Sequence, residues 1–373
     1  MPVLSIDFYI MTALIVSVVV QLWYYLVVFS RLGKLNSTGN TQSPGNSVSI
    51  VICAKNEELN LSENLPIILE QNYPDFEVVV VNDSSSDKTA AILSGLQKKY
   101  ENLKVVSISP SAVEHGGKKA ALTTGIASTN HEILLLTDAD CSPVGPDWIS
   151  GMMGNFTEGR DIVLGYSPFK KEKGMLNLLQ RYDVFYTALQ YLSFALKGIP
   201  YMGVGRNLAY RKSLFIENKG FSSHCHIISG DDDLFISEVA NDQNIVVEIG
   251  SDSKTFSQAP ENLAKWFHQK RRHYTTGGHY TFEQKVMLAG FHVSLMAFHV
   301  SIFTLLFSSG ASTLLVALIL MKYSTQFLVL KKCTDKLGEI DLLLFSPILE
   351  LFISVFNFFA ALSNLFFKRP EWN

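Results

Sequence analysis

A short apolar run that ends in two carboxylates constrains the fold of this chain more than any other segment. Ile133 to Leu136 is entirely aliphatic, and Asp138 and Asp140 follow closely. Such a run predicts a buried strand of a parallel sheet, and strands of that kind present ligand-binding groups at their carboxyl ends. Two carboxylates spaced i, i+2 can share a divalent cation and hold it for phosphate oxygens, although an ordinary acidic turn explains the same residues.

The segments around this run alternate between strand and helix patterns. Strands are predicted at 48–54, 76–82, 103–108 and 161–166, and helices at 55–71, 88–99, 118–127 and 174–196. This alternation predicts βαβ units around a mostly parallel sheet, so the fold class is α/β. Neither G-x-G-x-x-G after the first strand nor G-x-x-x-x-G-K-[ST] occurs, which argues against a dinucleotide oxidoreductase and a P-loop NTPase.

Charged residues stand at several predicted element ends. Glu57 and Asp83 follow the first two strands, and Lys118 opens a helix after a glycine pair. An acidic group at a strand end can bind ribose hydroxyls or a base, and a lysine at a helix N-terminus can meet phosphate; taken singly, each is explained as simply by capping or solvation. Asp231, Asp232 and Asp233 crowd like charges at another helix start, which is typical of a site that uses a raised pKa or a cation.

Four apolar segments are long enough to interact with a bilayer. They are Phe8–Phe29, Val286–Phe307, Ala311–Leu330 and Leu342–Phe367. Arg31 and Lys34 follow the first segment, which predicts an outside N-terminus and a cytosolic chain from about residue 30. The last segment contains Pro347 and Glu350, and both a crossing and an interfacial position are open for it. A single crossing would leave Lys368 on the outer side, against the same rule.

The predicted domain organisation follows from these patterns. Residues 1–35 form a membrane anchor, 36–47 a linker rich in Ser, Asn, Gly and Pro, 48–284 a cytosolic α/β domain, and 285–373 a C-terminal membrane domain of two or three helices. The net charge of −3 supplies no basic field for nucleic acid. The four cysteines are widely separated and indicate no disulfide framework.

Four sets of segments agree in order and spacing with a known family. They are Val48–Glu57, Val78–Asp87, Gly117–Leu122 with Thr137–Asp140, and Gly230–Leu234 with Gln269–His273. Together they resemble a membrane-anchored family 2 glycosyltransferase with a GT-A fold. The resemblance implies a nucleotide-diphospho-sugar donor, expected to be a UDP-sugar, a divalent metal (Mg²⁺ or Mn²⁺), and a lipid or lipid-linked acceptor at the cytosolic face of a bacterial inner membrane.

The resemblance also implies roles for individual residues. Donor-binding positions are Ala54, Glu57, Asp83, Lys118 and Asp138. Asp138 and Asp140 match the Asp-x-Asp motif, with Asp140 the principal metal ligand.

The general base of the family is the Asp of a Glu-Asp pair at a helix start. Counting back from Leu234 aligns Asp231 with it, but Gly230 replaces the Glu, so Asp232 remains a second candidate. A single base that activates an acceptor hydroxyl for one displacement implies inversion at the anomeric carbon.

The segment before the membrane matches a Gln-x-x-Arg-Trp motif that binds acceptor or diphosphate, except that His replaces Trp. Gln269, Arg271, Arg272 and His273 are its candidate residues. His273 stacks on a sugar less well than Trp, which argues against long-chain polymer synthesis. Two other functions stay open: a sugar-phosphate nucleotidyltransferase and a non-catalytic membrane scaffold of polysaccharide export.

Overall fold

The structure, a computed structural model, describes residues 6–36, 45–108, 117–227 and 229–367. Its strands are β1 Val48–Ala54, β2 Phe76–Asp83, β3 Leu103–Ile108, β4 Ile133–Leu136, β5 Cys141–Pro143, β6 Ile162–Leu164, β7 Leu208–Arg211, β8 Ile245–Val247 and β9 Thr255–Ser257. Its helices are α1 Ile6–Lys34, α2 Glu58–Leu69, α3 Thr89–Lys99, α4 Lys118–Ala127, α5 Trp148–Met153, α6 Met175–Lys197, α7 Lys212–Glu217, α8 Asp233–Val239, α9 Leu263–His273, α10 Phe282–Ser308, α11 Thr313–Leu337 and α12 Ser346–Ser363.

Seven strands form one sheet in the order β3-β2-β1-β4-β7-β6-β8. Strands β3, β2, β1 and β4 are parallel, and β7 runs antiparallel to both of its neighbours. The predicted α/β class is therefore confirmed. The strand predicted at 161–166 is shorter than expected, and the helix predicted from residue 55 begins at Glu58.

The order of strands reverses between β1 and β4, and the crevice outside their carboxyl ends is where such sheets bind ligands. Val51 of β1 pairs with Leu136 of β4, so Asp138 emerges beside the end of β1. Helix α4 lies close against this part of the sheet: a Cβ on Gly125 would stand 2.8 Å from both Val51 Cγ1 and Val81 Cγ2. This close approach places Lys118, the first residue of α4, at the same crevice.

Within the described residues, four helices, α1, α10, α11 and α12, are long and apolar enough to cross a membrane. Helices α1 and α10 are antiparallel, because Ser308 at the end of α10 donates a 2.9 Å hydrogen bond to Asp7 at the start of α1. Helix α11 continues to Leu337, beyond the predicted end at Leu330. The central part of the predicted linker, 37–44, and Lys368 lie outside the described residues.

Helix α12 contacts the α/β domain near both of its ends. At its start, Tyr182 of α6 donates a hydrogen bond to the carbonyl of Ser346 (3.2 Å). Further along, Phe356 stacks on Trp266 of α9 with ring centroids 4.2 Å apart. Just after its end, Asn364 donates to the carbonyl of Arg271 (2.8 Å).

A buried polar cluster joins three apolar helices to the α/β domain. Lys322 of α11 and Glu350 of α12 form an ion pair, and both side chains are fully buried. Tyr25 of α1 donates to Glu350 (2.6 Å), and Tyr186 of α6 lies 3.4 Å from the same oxygen. Because every charge in this cluster has a partner, it can be buried without leaving an isolated ion.

Candidate active site

The carboxyl ends of β1, β2 and β4 converge with the start of α8 and with a glycine-rich turn at 203–207. The chain bends sharply after β1 and β2, since Asn56 (φ 58°) and Ser84 (φ 55°) adopt the left-handed region. Asn56 stabilises the two bends together by accepting a 2.8 Å hydrogen bond from the backbone N–H of Ser86. Non-glycine residues in this conformation cost energy and are concentrated at functional sites.

Lys118 joins two of the predicted site residues directly. Its Nζ lies 3.0 Å from Asp138 Oδ1 and 3.0 Å from Asp231 Oδ2. Burial alone would raise the pKa of Asp231, but the ion pair with Lys118 holds that pKa below its usual value. Asp231 is therefore ionised at neutral pH, as a proton acceptor has to be.

Asp232 and Asp233 are engaged with other parts of the protein. Asp232 accepts hydrogen bonds from the backbone N–H groups of Gly205 (2.7 Å) and Asp233 (2.8 Å), so it caps α8 and holds the 203–207 turn. Asp233 accepts from the hydroxyl of Tyr280 (2.9 Å). Burial and the charges of Asp231 and Asp233 raise the pKa of Asp232 to about 7. Of the two base candidates, Asp231 has side-chain contacts that a substrate can replace, whereas Asp232 is tied to the backbone.

Asp138 and Asp140 supply the two carboxylates of the Asp-x-Asp motif. Burial and the nearby Asp138 raise the pKa of Asp140, while Arg206 opposes that rise. No group of three or more His, Cys, Asp or Glu side chains arranged to hold a metal occurs among the described residues. A cation at Asp138 and Asp140 would therefore complete its coordination with donor phosphates and water, which is how Mg²⁺ is commonly bound. The residues fit such a cation.

The nucleoside-binding candidates border the same crevice. Ala54 is buried at the end of β1, and Asp83 ends β2 half-exposed. The backbone N–H of Glu57 donates to Thr89 Oγ1 (2.9 Å). Burial raises the pKa of Glu57, with Asp140 and Asp138 adding to the effect. The negative charge of the Asp-x-Asp pair therefore acts on Glu57.

The residues of the Gln-x-x-Arg segment divide between two faces of α9. Gln269 and Arg272 line an open cavity of about 390 Å³, together with Pro260, Lys265 and His268. Arg271 lies on another face, with its guanidinium carbon 5.6 Å from the centre of the Phe367 ring. His273 is exposed at the last turn of the helix. The structure therefore groups Gln269 with Arg272 and separates Arg271 from them.

The buried face of α9 fixes the helix to α6. Lys270 forms a 2.9 Å ion pair with Asp183, and both side chains are nearly inaccessible. Trp266 Nε1 lies 3.3 Å from the other oxygen of Asp183. At the other end of the segment, Ser229 Oγ donates to the carbonyl of Arg272 (3.4 Å), which links α9 to the loop before Asp231.

Two residues of the 203–207 turn were not singled out from the sequence. Gly205 borders the crevice, because a Cβ there would lie 3.5 Å from Asp232 Oδ2 and 3.7 Å from Lys118 Nζ. Arg206 reaches β9, where its Nη1 donates to Ser257 Oγ (2.6 Å), and Ser257 pairs in register with Cys141, the residue after Asp140. The Gly-x-Gly-Arg spacing was visible in the sequence, but no local pattern indicates which strand end such a turn will meet.

Comparison with known proteins identifies the family of this domain. Residues 49–218 match the family described as Glycosyl transferase family 2. The "Probable glycosyltransferase YdaM" of Bacillus subtilis is 29% identical over 244 residues, which cover 60% of this chain and 54% of that protein. The match thus spans about half of the relative's length. A "Beta-monoglucosyldiacylglycerol synthase" of Trichormus variabilis is 41% identical over 95 residues, 25% of this chain and 20% of that protein.

A solved structure extends the likeness to nearly the whole chain. The mannosyltransferase PcManGT of Pyrobaculum calidifontis, determined with GDP-Man and Mn²⁺, superposes with a TM-score of 0.63 at 17% identity. The alignment covers 96% of this chain and 99% of that one. At this level of identity the likeness shows a shared fold, the GT-A fold with apolar helices around it.

Proposed function

The chain belongs to glycosyl transferase family 2 through its residues 49–218, and on that premise we propose that it is an inverting glycosyltransferase. The donor is a nucleotide-diphospho-sugar, with a UDP-sugar expected. The acceptor is a hydroxyl of a lipid or lipid-linked molecule at the cytosolic membrane face. Transfer is assisted by Mg²⁺ or Mn²⁺ and uses Asp231 as general base.

One observation supports this proposal above the others: Lys118 bridges Asp138 and Asp231 at 3.0 Å each. The Asp-x-Asp pair and the base candidate come from segments about 90 residues apart in sequence. Asp138 and Asp231 nevertheless contact the same ammonium group, that of Lys118. A donor whose diphosphate is held at Asp138 through a divalent cation would therefore have its anomeric carbon close to an acceptor hydroxyl at Asp231.

The roles of the side chains follow from their positions. Ala54, Glu57 and Asp83 border the pocket for the nucleoside. A divalent cation held by Asp138 and Asp140 would neutralise the charge of the diphosphate leaving group. The donor phosphates compete with Asp231 for the ammonium of Lys118, which frees a carboxylate already ionised at neutral pH. Asp231 then accepts the proton of the acceptor hydroxyl, and a single in-line displacement inverts the anomeric configuration.

Several features support a membrane-bound acceptor. Four apolar helices flank the domain, and α12, with both ends at the α/β domain, exposes Phe358 and Phe359. An apolar helix whose two ends both contact the α/β domain fits a position along the cytosolic membrane face better than a crossing of the membrane. Helix α9 lines the open cavity with one face and stacks on Phe356 of α12 through Trp266 on another, and one relative is named for the synthesis of a glycosylated diacylglycerol. These observations support a multi-pass protein of a bacterial inner membrane.

The test uses the purified full-length protein in detergent with bacterial lipid extract. Nucleotide sugars are screened for release of nucleoside diphosphate, with and without Mn²⁺ or Mg²⁺, and the sugar label is followed into lipid. We expect Asp140→Asn to lose metal-dependent donor binding. Asp231→Asn is expected to keep donor binding and lose transfer, and the exposed Asp252→Asn serves as control.

The other functions predict different results in the same experiment. Pyrophosphate release would identify a nucleotidyltransferase. Absence of donor binding by calorimetry with every nucleotide sugar would favour the scaffold. Normal turnover of Asp231→Asn together with an inactive Asp232→Asn would show that the general base is Asp232 and not Asp231.

A further inference from the structure

We propose that Arg206 is a diphosphate-binding residue, and that its guanidinium is the counter-ion which Asp140 exchanges for the divalent cation when the donor binds. The proposal rests on the proposed function and names a further residue of the same site. Arg206 lies outside the motifs that carry the sequence resemblance.

The backbone of Arg206 is fixed from both sides of the Asp-x-Asp segment. Its carbonyl accepts hydrogen bonds from Thr137 Oγ1 (3.0 Å), just before Asp138, and from Thr255 Oγ1 of β9 (2.9 Å). The next residue, Asn207, is fully buried and accepts from Trp148 Nε1 (3.0 Å). A position held this firmly presents its side chain in one direction at little entropic cost on binding.

The guanidinium itself is anchored on β9, opposite the residue that follows Asp140. Arg206 Nη1 donates to Ser257 Oγ (2.6 Å), and the guanidinium carbon lies 5.1 Å from the centre of the Phe169 ring. Ser257 pairs in register with Cys141, the residue directly after Asp140. The anchor on β9 therefore holds the arginine across from the second carboxylate of the motif.

Most of the donor capacity of Arg206 is available to a ligand. Among the described residues its guanidinium donates the single hydrogen bond to Ser257, and the side chain is half-buried. A guanidinium carries several N–H donors in a planar fork that matches the oxygens of a phosphate. Ser257 and Phe169 hold this fork in place, so it is arranged before the diphosphate arrives.

The positive charge of Arg206 also compensates part of the negative charge of the Asp-x-Asp pair, because its anchor Ser257 stands opposite Cys141, the residue after Asp140. A divalent cation at Asp140 takes over that compensation, and the anion that enters with it gives the guanidinium a new partner. Arg206 thus disfavours the metal alone and favours the metal together with diphosphate.

This opposition yields a test with two readouts. Arg206→Met removes the charge and keeps much of the length. By calorimetry, Mn²⁺ alone should bind Arg206→Met several-fold more tightly than wild type. UDP in the presence of Mn²⁺ should bind it about 10- to 100-fold more weakly, the loss expected for charge-assisted hydrogen bonds. Arg206→Lys should restore wild-type Mn²⁺ affinity and recover UDP affinity in part, because it returns the charge without the fork.

Arg211 provides the matched control. It lies five residues further along, pairs with Asp161 (2.9 Å) and stands over the Phe156 ring at 5.8 Å. Arg211→Met should leave both affinities within about twofold of wild type. If Arg206→Met does not fold, Ser257→Ala tests the proposal instead. This variant removes only the hydrogen bond that holds the guanidinium, and it should weaken UDP binding several-fold.

Three outcomes would overturn the proposal. UDP affinity of Arg206→Met within about twofold of wild type would show that the diphosphate does not use this residue. A parallel fall of Mn²⁺ and UDP affinity would indicate a structural role. Wild-type protein that binds neither UDP nor GDP with Mn²⁺ would remove the donor class on which both proposals rest, and this outcome is distinguishable from the other two.

Discussion

Removal of the Asp183 carboxylate, which pairs with a buried lysine of α9, should destabilise the protein far more than removal of a surface carboxylate that pairs with an exposed lysine of α9. Asp183 of α6 and Lys270 of α9 form a 2.9 Å ion pair in which the side chains are 4% and 9% exposed. Asp183→Ala would leave the ammonium of Lys270 buried without its partner. Loss of one member of a buried pair costs about 3–5 kcal/mol.

This energy corresponds to a measurable change in melting temperature. A domain of 150–250 residues loses about 2–4 °C per kcal/mol, so Asp183→Ala should lower the melting temperature by on the order of 10 °C. Differential scanning fluorimetry of the full chain in detergent would measure it. Because α9 also carries Gln269 and Arg272, we expect transfer to fall more than donor binding.

Two further variants make this experiment decisive. Glu261, two residues before α9, pairs with Lys265 on the solvent face of that helix at 2.7 Å, and the two side chains are 77% and 59% exposed. Glu261→Ala should cost no more than about 0.5 kcal/mol. The double variant Asp183→Leu with Lys270→Met removes both charges and should recover most of the lost stability. A change of under 2 °C in Asp183→Ala, or a double variant as unstable as the single one, would refute the argument that the uncompensated charge is the cause.

Two other predictions concern stability. The pKa of Asp232 is raised to about 7 in the folded protein, well above its pKa in the unfolded chain. Protonation of Asp232 therefore stabilises the fold in acid, and this contribution is lost as the pH rises through about 7. The melting temperature of Asp232→Asn should therefore rise relative to that of wild type between about pH 5 and pH 8. Melting temperatures of the two proteins that change in parallel with pH would contradict the raised pKa of Asp232. A Cβ on Gly125 would stand 2.8 Å from Val51 and Val81, so Gly125→Ala should destabilise by about 1 kcal/mol net, since overpacking outweighs the gain in helix propensity. Gly95→Ala in α3 meets open space and should stabilise instead; unfolding shifts of the same sign in the two variants would count against this explanation.

The α/β class and the limits of β1 and β3 were predictable from the sequence, because strand and helix patterns are local and alternate at regular spacing. The contacts of Lys118 were not, since its bridge between Asp138 and Asp231 depends on how α4 and α8 pack around the sheet. The same holds for Asp232: only the backbone geometry of the 203–207 turn shows that its oxygens are already engaged.

The position of α12 illustrates a second limit. Length and composition allow the segment either to cross a bilayer or to lie along it. In the structure the Trp266–Phe356 stack and the Asn364 hydrogen bond hold α12 against α9. Both are made by residues about 90 positions apart, and no periodicity within the segment encodes them.

The way α1 is built into the protein has a practical consequence for its preparation. Tyr25, Phe29 and Leu32 are fully buried in the same core cluster as Leu134 of the sheet, and Arg31 donates to the carbonyl of Leu196 (3.2 Å). Truncation before β1 would therefore cut into the core and expose its aromatic side chains to water, so a shortened, detergent-free version should aggregate. Expression and assay of this protein call for the complete chain in detergent or lipid.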